Sequence, residues 1–224
     1  MAAITDLMTR PVYGMRQVDD LLSLHPGTAS RWIDGYDRRD RHYAPVVRSE
    51  TTGSDIVTWG EFVETRLLSE YRDRGASIQK MRPVVERLRE EYKTPYPLTA
   101  AQPLLLGRDL IAQIQDEINL ETELRLVVIR SGQLVLADPA DRFYASILWS
   151  PDGYATSLTP DALAQRVTMD PLVAFGEPVV RAVRTSTISS EFRAGSSPAF
   201  IADAYSLDVD EVNDALRYEL ARAA

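Results

Sequence analysis

Gly14-Met-Arg-Gln-Val-Asp-Asp-Leu-Leu-Ser-Leu-His25-Pro26-Gly27-Thr28-Ala-Ser-Arg31-Trp-Ile-Asp-Gly35 is the stretch on which the reading of the fold turns. From Gly14 to Leu24, the apolar residues Met15, Val18, Leu21 and Leu22 recur at helical spacing. His25-Pro26-Gly27 breaks that helix. Thr28 starts a second, short one, which passes through Ala29, Trp32 and Ile33 and stops at Gly35. Two short helices across a tight, Gly-containing turn are the signature of a helix-turn-helix.

Downstream, Tyr43–Arg48 reads as extended, Thr51-Thr-Gly53-Ser as a turn, and Ile56–Thr58 as the return of a hairpin. A hairpin in that position is a wing. Two longer helices are expected next. Trp59–Arg74 carries Phe62, Val63, Leu67, Leu68 and Tyr71 on one face, and Gly75 ends it. Ser77 opens the other, which runs to about Tyr92, with Pro83 marking a kink or a late start.

The middle of the chain is mixed. Leu104–Leu106, Leu124–Arg130 and Gln133–Ala137 read as strands, the last two joined by a tight Ser131-Gly132 turn. A helix should run from Asp138 to Trp149, with further strands at Tyr154–Leu158 and Ala164–Thr168. The last segment is helical. One helix opens at Thr185 or Ser186 and closes at Gly195. A second opens at Ser197-Pro198, with Phe200, Ile201, Ala204 and Tyr205 inward. A third is capped by Asp208 with Glu211, its apolar face being Val209, Val212, Leu216 and Leu220. The expected fold class is α+β, mainly helical. It comprises a winged helix-turn-helix domain with two extra helices (1–97), a mixed middle segment (98–168) and a C-terminal, helix-turn-helix-like module of three helices (169–224).

Charge separates the two ends. Residues 1–97 are net neutral, and residues 98–224 carry the whole net charge of −8. That split suggests different jobs for the two parts. Residues 31–48 hold a local excess of +2. There are no cysteines, which excludes disulfides, thiolate metal sites and Cys nucleophiles. The chain starts with no long apolar run and has no stretch long enough to span a bilayer, so a cytoplasmic address with no membrane partner is expected. His25 and His42 lie at no metal-ligand spacing, the acids Asp203 to Asp214 read as caps and a solvated helix face, and no Gly-rich phosphate loop is present. Neither catalysis nor a cofactor is expected.

Residues at the start of a recognition helix face the major groove. Here they include Thr28, Ser30 and Arg31. The hydroxyls can reach phosphates or bases, and Arg31 can fork onto a guanine. Arg38, Arg39, Arg41 and Arg48 follow, placed to meet phosphates beside the wing. Trp32 and Ile33 read as core anchors. The competing reading is that these arginines merely pair with Asp34, Asp37 and Asp40. The second helical pair, near the C-terminus, has Asp208, Asp210, Glu211 and Asp214 where a DNA reader needs positive charge, so it suits a protein partner better.

Two stretches carry a resemblance. Tyr13 to Arg48, followed by Trp59-Gly-Glu-Phe-Val and Arg74-Gly-Ala-Ser-Ile-Gln-Lys-Met-Arg82, resembles the MerR-like winged helix of one group of VapB-type antitoxins. Asp170-Pro-Leu-Val-Ala-Phe-Gly-Glu-Pro-Val-Val-Arg-Ala-Val-Arg184, Phe192-Arg-Ala-Gly195, Ile201-Ala-Asp-Ala-Tyr-Ser-Leu and Glu211-Val to Glu219 are similar to the small C-terminal module of antitoxins encoded beside PIN-like ribonuclease toxins. Ala182 stands where that family usually has Gly.

The resemblance implies a type II antitoxin that binds its own operator DNA and neutralises a PIN-like ribonuclease toxin. Neutralisation would cover the toxin's acidic site or place an arginine in it, and Arg181, Arg184, Arg193 and Arg217 are the candidates. A winged helix usually reads a two-fold site, so a homodimer is expected, with the middle segment as its interface. The other reading is a MerR-like regulator that answers to a small ligand and has no toxin partner.

Overall fold

The computed structural model describes residues 6–72, 77–100 and 107–223. The chain is mixed α/β with small sheets and divides into two compact units, Met1–Ala145 with Trp149–Ala155, and Ser146–Leu148 with Thr156–Ala224. The expected boundary near residue 97 falls inside the first, and the expected module 169–224 lies within the second. Among the described residues, no helix is long and apolar enough to cross a membrane.

The first unit opens with strand β1 (Pro11–Gly14), helix α1 (Met15–Leu21) and helix α2 (Thr28–Ile33). Met15, Val18, Leu21, Ala29 and Ile33 are all buried, as their spacing requires. The link between the helices is a carboxylate. Asp19 is buried on α1 and accepts the Gly27 N–H at 2.6 Å and the Ala29 N–H at 2.7 Å. It thereby satisfies amides that the start of α2 leaves unpaired.

Past α2 the chain departs from expectation. A hairpin forms between β2 (Tyr36–Arg38) and β3 (Arg41–Tyr43), earlier than the sequence suggests. Strand β4 (Ile56–Thr58) pairs antiparallel with β1 instead of with residues 43–48. The reason lies in the end of α2. The Trp32 carbonyl accepts the N–H groups of Val46 and Val47, and the Ile33 carbonyl accepts that of Arg48. These are carbonyls that a helix terminus must satisfy from outside. Segment 44–48 is thus recruited to the helix. Gly35 makes the corner possible. It has φ +79°, and a Cβ there would fall 2.6 Å from the Tyr43 carbonyl oxygen.

Helix α3 (Trp59–Arg72) is the centre of this unit. Trp59, Phe62, Val63, Leu67, Leu68 and Tyr71 are fully buried, and the Trp59 indole N–H donates to the Ala155 carbonyl at 2.9 Å. A 3₁₀ turn (Ile78–Met81) leads into α4 (Arg82–Tyr92), so Pro83 marks a late helix start. Gln79 and Arg82, with Arg89 on α4, donate to the carbonyls of Ala44, Pro45 and Val47, in the place a neighbouring strand would take. Gly75 and the expected strand Leu104–Leu106 lie outside the described residues.

Helix α5 (Arg108–Glu117) has no counterpart in the sequence reading. It packs on the hairpin of β5 (Val127–Arg130) and β6 (Gln133–Leu136), whose two-residue turn places Ser131 and Gly132 at positive φ. Buried Gln115 clamps the two together. Its amide donates to the Val127 carbonyl at 3.0 Å and its Oε1 accepts the N–H of Leu126 and of Val127. Helix α6 (Asp138–Ser146) stops three residues short of the expected Trp149, because Ile147–Trp149 is strand β7, paired with β8 (Ala155–Leu158).

The second unit holds a three-stranded antiparallel sheet of β9 (Val167–Thr168), β10 (Val179–Val180) and β11 (Val183–Arg184), followed by α7 (Thr185–Arg193), α8 (Pro198–Tyr205) and α9 (Val209–Ala223). Val167, Val180, Ile188, Ile201, Val212 and Leu216 form its core. The Asp208 N–H donates to Glu211 Oε2 at 2.8 Å, half of a capping box, and this bond together with Arg181 holds the Glu211 carboxyl below its ordinary value. Phe200 and Ala204 face outward, against expectation, while their neighbours Ile201 and Ala202 fill the core. The left-handed residue of the β10–β11 turn is Arg181 and not Ala182.

Glu64 on α3 is fully buried. Its Oε1 accepts the Leu98 N–H at 2.9 Å, and its Oε2 meets no donor among the described residues. Burial pushes this carboxyl up from 4.5 to about 8, although the Leu98 N–H and Arg89 pull the other way. The folded chain therefore keeps a proton that the unfolded chain has lost. Stability from this group is complete below about pH 4.5 and declines as the pH rises to about 8. Glu64→Gln should flatten that decline in melting temperature between about pH 5 and about pH 9. Parallel curves for parent and variant would show that Glu64 is ionised in the folded chain.

Candidate nucleic-acid interface

The residues expected to meet DNA divide into three groups. The first is α2. Arg31 is exposed, but its side chain folds back along its own helix. Its Nε donates to the Gly27 carbonyl and its Nη2 to Thr28 Oγ1, both at 3.0 Å. Thr28 is itself only 7% exposed, so it supports Arg31 instead of presenting its own hydroxyl. Ser30 is half-buried on the next position. Arg31, Trp32 and Tyr36 border one cleft, which places the exposed side of α2 beside the root of the β2–β3 hairpin.

The hairpin is the second group. Its register sets Tyr36 opposite Tyr43, Asp37 opposite His42 and Arg38 opposite Arg41. Arg39 and Asp40 form the two-residue turn, with φ of +51° and +60°. The Tyr36 and Tyr43 rings stack with centroids 4.6 Å apart, and the Arg41 guanidinium lies 5.9 Å from the centre of the Tyr43 ring. Arg38, Arg39 and Arg41 are all exposed. Of the three aspartates that could neutralise them, exposed Asp40 shares the turn with Arg39, and the other two have partners. Asp37 holds the His42 Nδ1 at 2.8 Å, and Asp34 is taken by Arg48. Three arginines thus stand at the tip of a short ribbon whose base is stiffened by two aromatic rings.

Arg48 is the third, and here the structure corrects the expectation. Its side chain is only 8% exposed. Nε donates to Glu61 Oε1 at 2.7 Å. Nη1 reaches Asp34 Oδ1 at 2.6 Å, and Nη2 reaches the Ile56 carbonyl at 2.6 Å. Thr52 Oγ1 and the Ser54 carbonyl accept from Nη1 as well. A guanidinium with its donors engaged in this way is a structural post and not a phosphate contact. Burial works against both charges. The bonds from Glu61 and Asp34 nevertheless raise the Arg48 value, and the Thr52 N–H, Arg48 and the Gly53 N–H hold the Asp34 carboxyl below its ordinary range. Glu61 also accepts the Thr58 N–H at 2.8 Å. Thr58-Trp-Gly-Glu61 has the spacing of a capping box, and that motif is the sequence signal that Glu61 folds back onto its own helix start.

In the second unit the four candidate arginines also separate. Arg181 pairs with Glu211 at 2.8 Å and Asp208 at 3.4 Å, and Arg217 with Asp214 at 2.8 Å and the Leu163 carbonyl at 2.7 Å. Arg184, before α7, and Arg193, in its last turn, are exposed, and neither forms an ion pair among the described residues.

Comparison with known proteins places this geometry in context. The chain is 35% identical to the protein named "Uncharacterized protein Rv2308" from Mycobacterium tuberculosis, over 98% of this chain and 96% of that one. It is 26% identical to "Putative antitoxin VapB45" of the same organism, over 92% of each. Residues 167–218, within the second unit, match the family described as "Protein of unknown function (DUF433)". The crystal structure of Rv2018 from M. tuberculosis shares the fold, with a TM-score of 0.76 at 24% identity, over 92% of this chain and 97% of that one.

Removing Arg48 would leave Asp34 and Glu61 as buried, unpaired carboxylates. Breaking a buried ion pair from one side costs about 3–5 kcal/mol. Arg48→Met should therefore lower unfolding free energy by about that amount in urea titrations. A loss under about 1 kcal/mol would return Arg48 to the surface and to the group of arginines expected to meet DNA.

Proposed function

We propose that this chain, which belongs to the family of the M. tuberculosis protein Rv2308, is the antitoxin of a type II toxin–antitoxin pair. In this reading it binds operator DNA as a homodimer and neutralises a PIN-like ribonuclease. It is a binding protein with no catalytic step and no cofactor. The antitoxin role is supported by the similarity to VapB45 over nearly the whole chain. The match to DUF433 covers only the C-terminal part and names no activity.

The observation that carries the DNA-binding half is the arginine-tipped hairpin directly after the short helix α2. We read α1, α2 and the β2–β3 hairpin as a winged helix-turn-helix whose wing is residues 36–43. Ser30 and Arg31 would meet the major groove, and Arg38, Arg39 and Arg41 would meet phosphates alongside. Each phosphate neutralised releases counterions, so binding should weaken steeply with salt. We read the exposed arginines of the second unit, Arg184 and Arg193, as the first to try against the toxin's acidic site, ahead of the internally paired Arg181 and Arg217.

Titration of the chain's own promoter DNA tests the first half. Replacing Arg38, Arg39 and Arg41 together by Ala should weaken binding and reduce the slope of log K against log salt by about 0.9 for each phosphate that is no longer neutralised. An unchanged slope would remove the hairpin from the interface. Co-expression with the neighbouring reading frame tests the second half. The two proteins should co-purify, and the complex should lack the ribonuclease activity of the partner alone. Full activity in the presence of this chain would rule out neutralisation.

A further inference from the structure

Arg31 is held differently from the three arginines of the hairpin. A guanidinium carries five N–H donors in one plane. The Nε–H and one Nη2 hydrogen share an edge, and both are used within the chain. They donate to the Gly27 carbonyl and to Thr28 Oγ1, each at 3.0 Å. Those acceptors are themselves fixed. Gly27 sits at φ +78°, its N–H donates to buried Asp19 at 2.6 Å, and its carbonyl also accepts the Arg31 backbone N–H at 3.3 Å. Thr28 is buried in the first turn of α2. The arginine side chain is therefore clamped against the start of its own helix, with one edge consumed.

The clamp leaves the other edge, formed by Nη1 and the outer hydrogen of Nη2, without an acceptor among the described residues. Both bonds of the clamp go to neutral oxygens, and Arg31 forms no ion pair among the described residues, so a full positive charge stands behind that free fork. The hairpin arginines lack such a clamp. Arg38 and Arg39 are exposed and bond to nothing among the described residues, and Arg41 only lies over the Tyr43 ring. An unclamped arginine can follow a phosphate wherever the backbone runs. A clamped fork serves only two acceptors set side by side in one plane.

We propose that Arg31 reads one guanine of the operator through its free Nη1–Nη2 edge, and that Thr28 is a positioning residue that acts through it. In the major groove guanine offers O6 and N7, two acceptors in one plane. Adenine sets a donor beside its N7, which a fork made only of donors rejects. The first residues of a recognition helix reach base edges, and Arg31 lies one turn into α2. Its clamp is complete before DNA arrives, so the freedom of this long side chain is not lost on binding. The inference rests on the reading of α1, α2 and the hairpin as a winged helix-turn-helix. It adds the base that is read and gives the Thr28 hydroxyl a role as acceptor within the protein.

Titrations of the full-length chain on its own promoter fragment test this, with each guanine replaced in turn by 7-deazaguanine, which lacks the N7 acceptor. Replacement of one guanine in each half-site should weaken binding of the parent about fivefold. Arg31→Lys keeps the charge without the fork, and Thr28→Val keeps the shape without the oxygen. Both should ignore that replacement, whereas Thr28→Ser, which keeps the oxygen, should respond as the parent does. Arg31→Lys alters only an exposed side chain, so the guanine test stands even if Thr28→Val fails to fold. A parent that binds the promoter but responds to no replaced guanine would assign Arg31 to a phosphate and overturn this inference alone. A parental response in Thr28→Val would remove Thr28 from base reading. Equal weakening of Thr28→Val on promoter and unrelated DNA would reduce Thr28 to a support of α2. A parent indifferent to its own promoter would end the functional reading and this inference together.

Discussion

The guanidinium of Arg48 ties together three parts of the first unit that are distant in sequence. Asp34 ends α2, Glu61 sits in the first turn of α3, and Thr52, Ser54 and Ile56 belong to the segment between them. Two carboxylates and one guanidinium, all nearly out of water, are tolerable only together. Because they are together, the chain after α2 cannot run out as a long wing. It is drawn back along the helix, where Val46, Val47 and Arg48 satisfy the last carbonyls of α2. What remains free to project is the short hairpin at 36–43. The placement of the arginine tip is therefore a consequence of a buried charge cluster a few residues away.

The same cluster explains what could be read from the sequence and what could not. The helices α1 and α2 were legible because Met15, Val18, Leu21, Ala29 and Ile33 repeat at helical spacing and the break at His25-Pro26-Gly27 is a local signal. The turn at Ser131-Gly132 and the three helices after Thr185 were legible for similar reasons. The partner of β4 was not legible, since pairing with β1 depends on residues more than forty positions away. The role of Arg48 was hidden too. Five arginines between 31 and 48 look alike in sequence, and only the fold shows that one is buried while three stand at a tip. Helix α5 carries a short apolar stripe of Leu110, Ile111 and Ile114 that the sequence reading passed over, while its clamp through buried Gln115 onto β5 depends on residues about twelve positions away and leaves no local signal.

The charge split at residue 97 falls inside the first unit, so it does not follow the boundary between the two units. Exposed arginines gather at the hairpin of the first unit, and in the second Asp208, Asp210, Glu211 and Asp214 are engaged with Arg166, Arg181 and Arg217. In the proposed reading, the first unit meets nucleic acid and the second meets protein. The fold shared with Rv2018 and the membership of the Rv2308 family are compatible with this arrangement, and neither name carries an activity.

The central claim is that residues 28–43 meet DNA and the second unit does not. Hydrogen exchange of the full chain, with and without its own promoter fragment, tests this most directly. The account predicts slower exchange in peptides spanning 28–43 on adding DNA, with little change in those from 170–223. Protection confined to the second unit, or absent from 28–43 at saturating DNA, would contradict it.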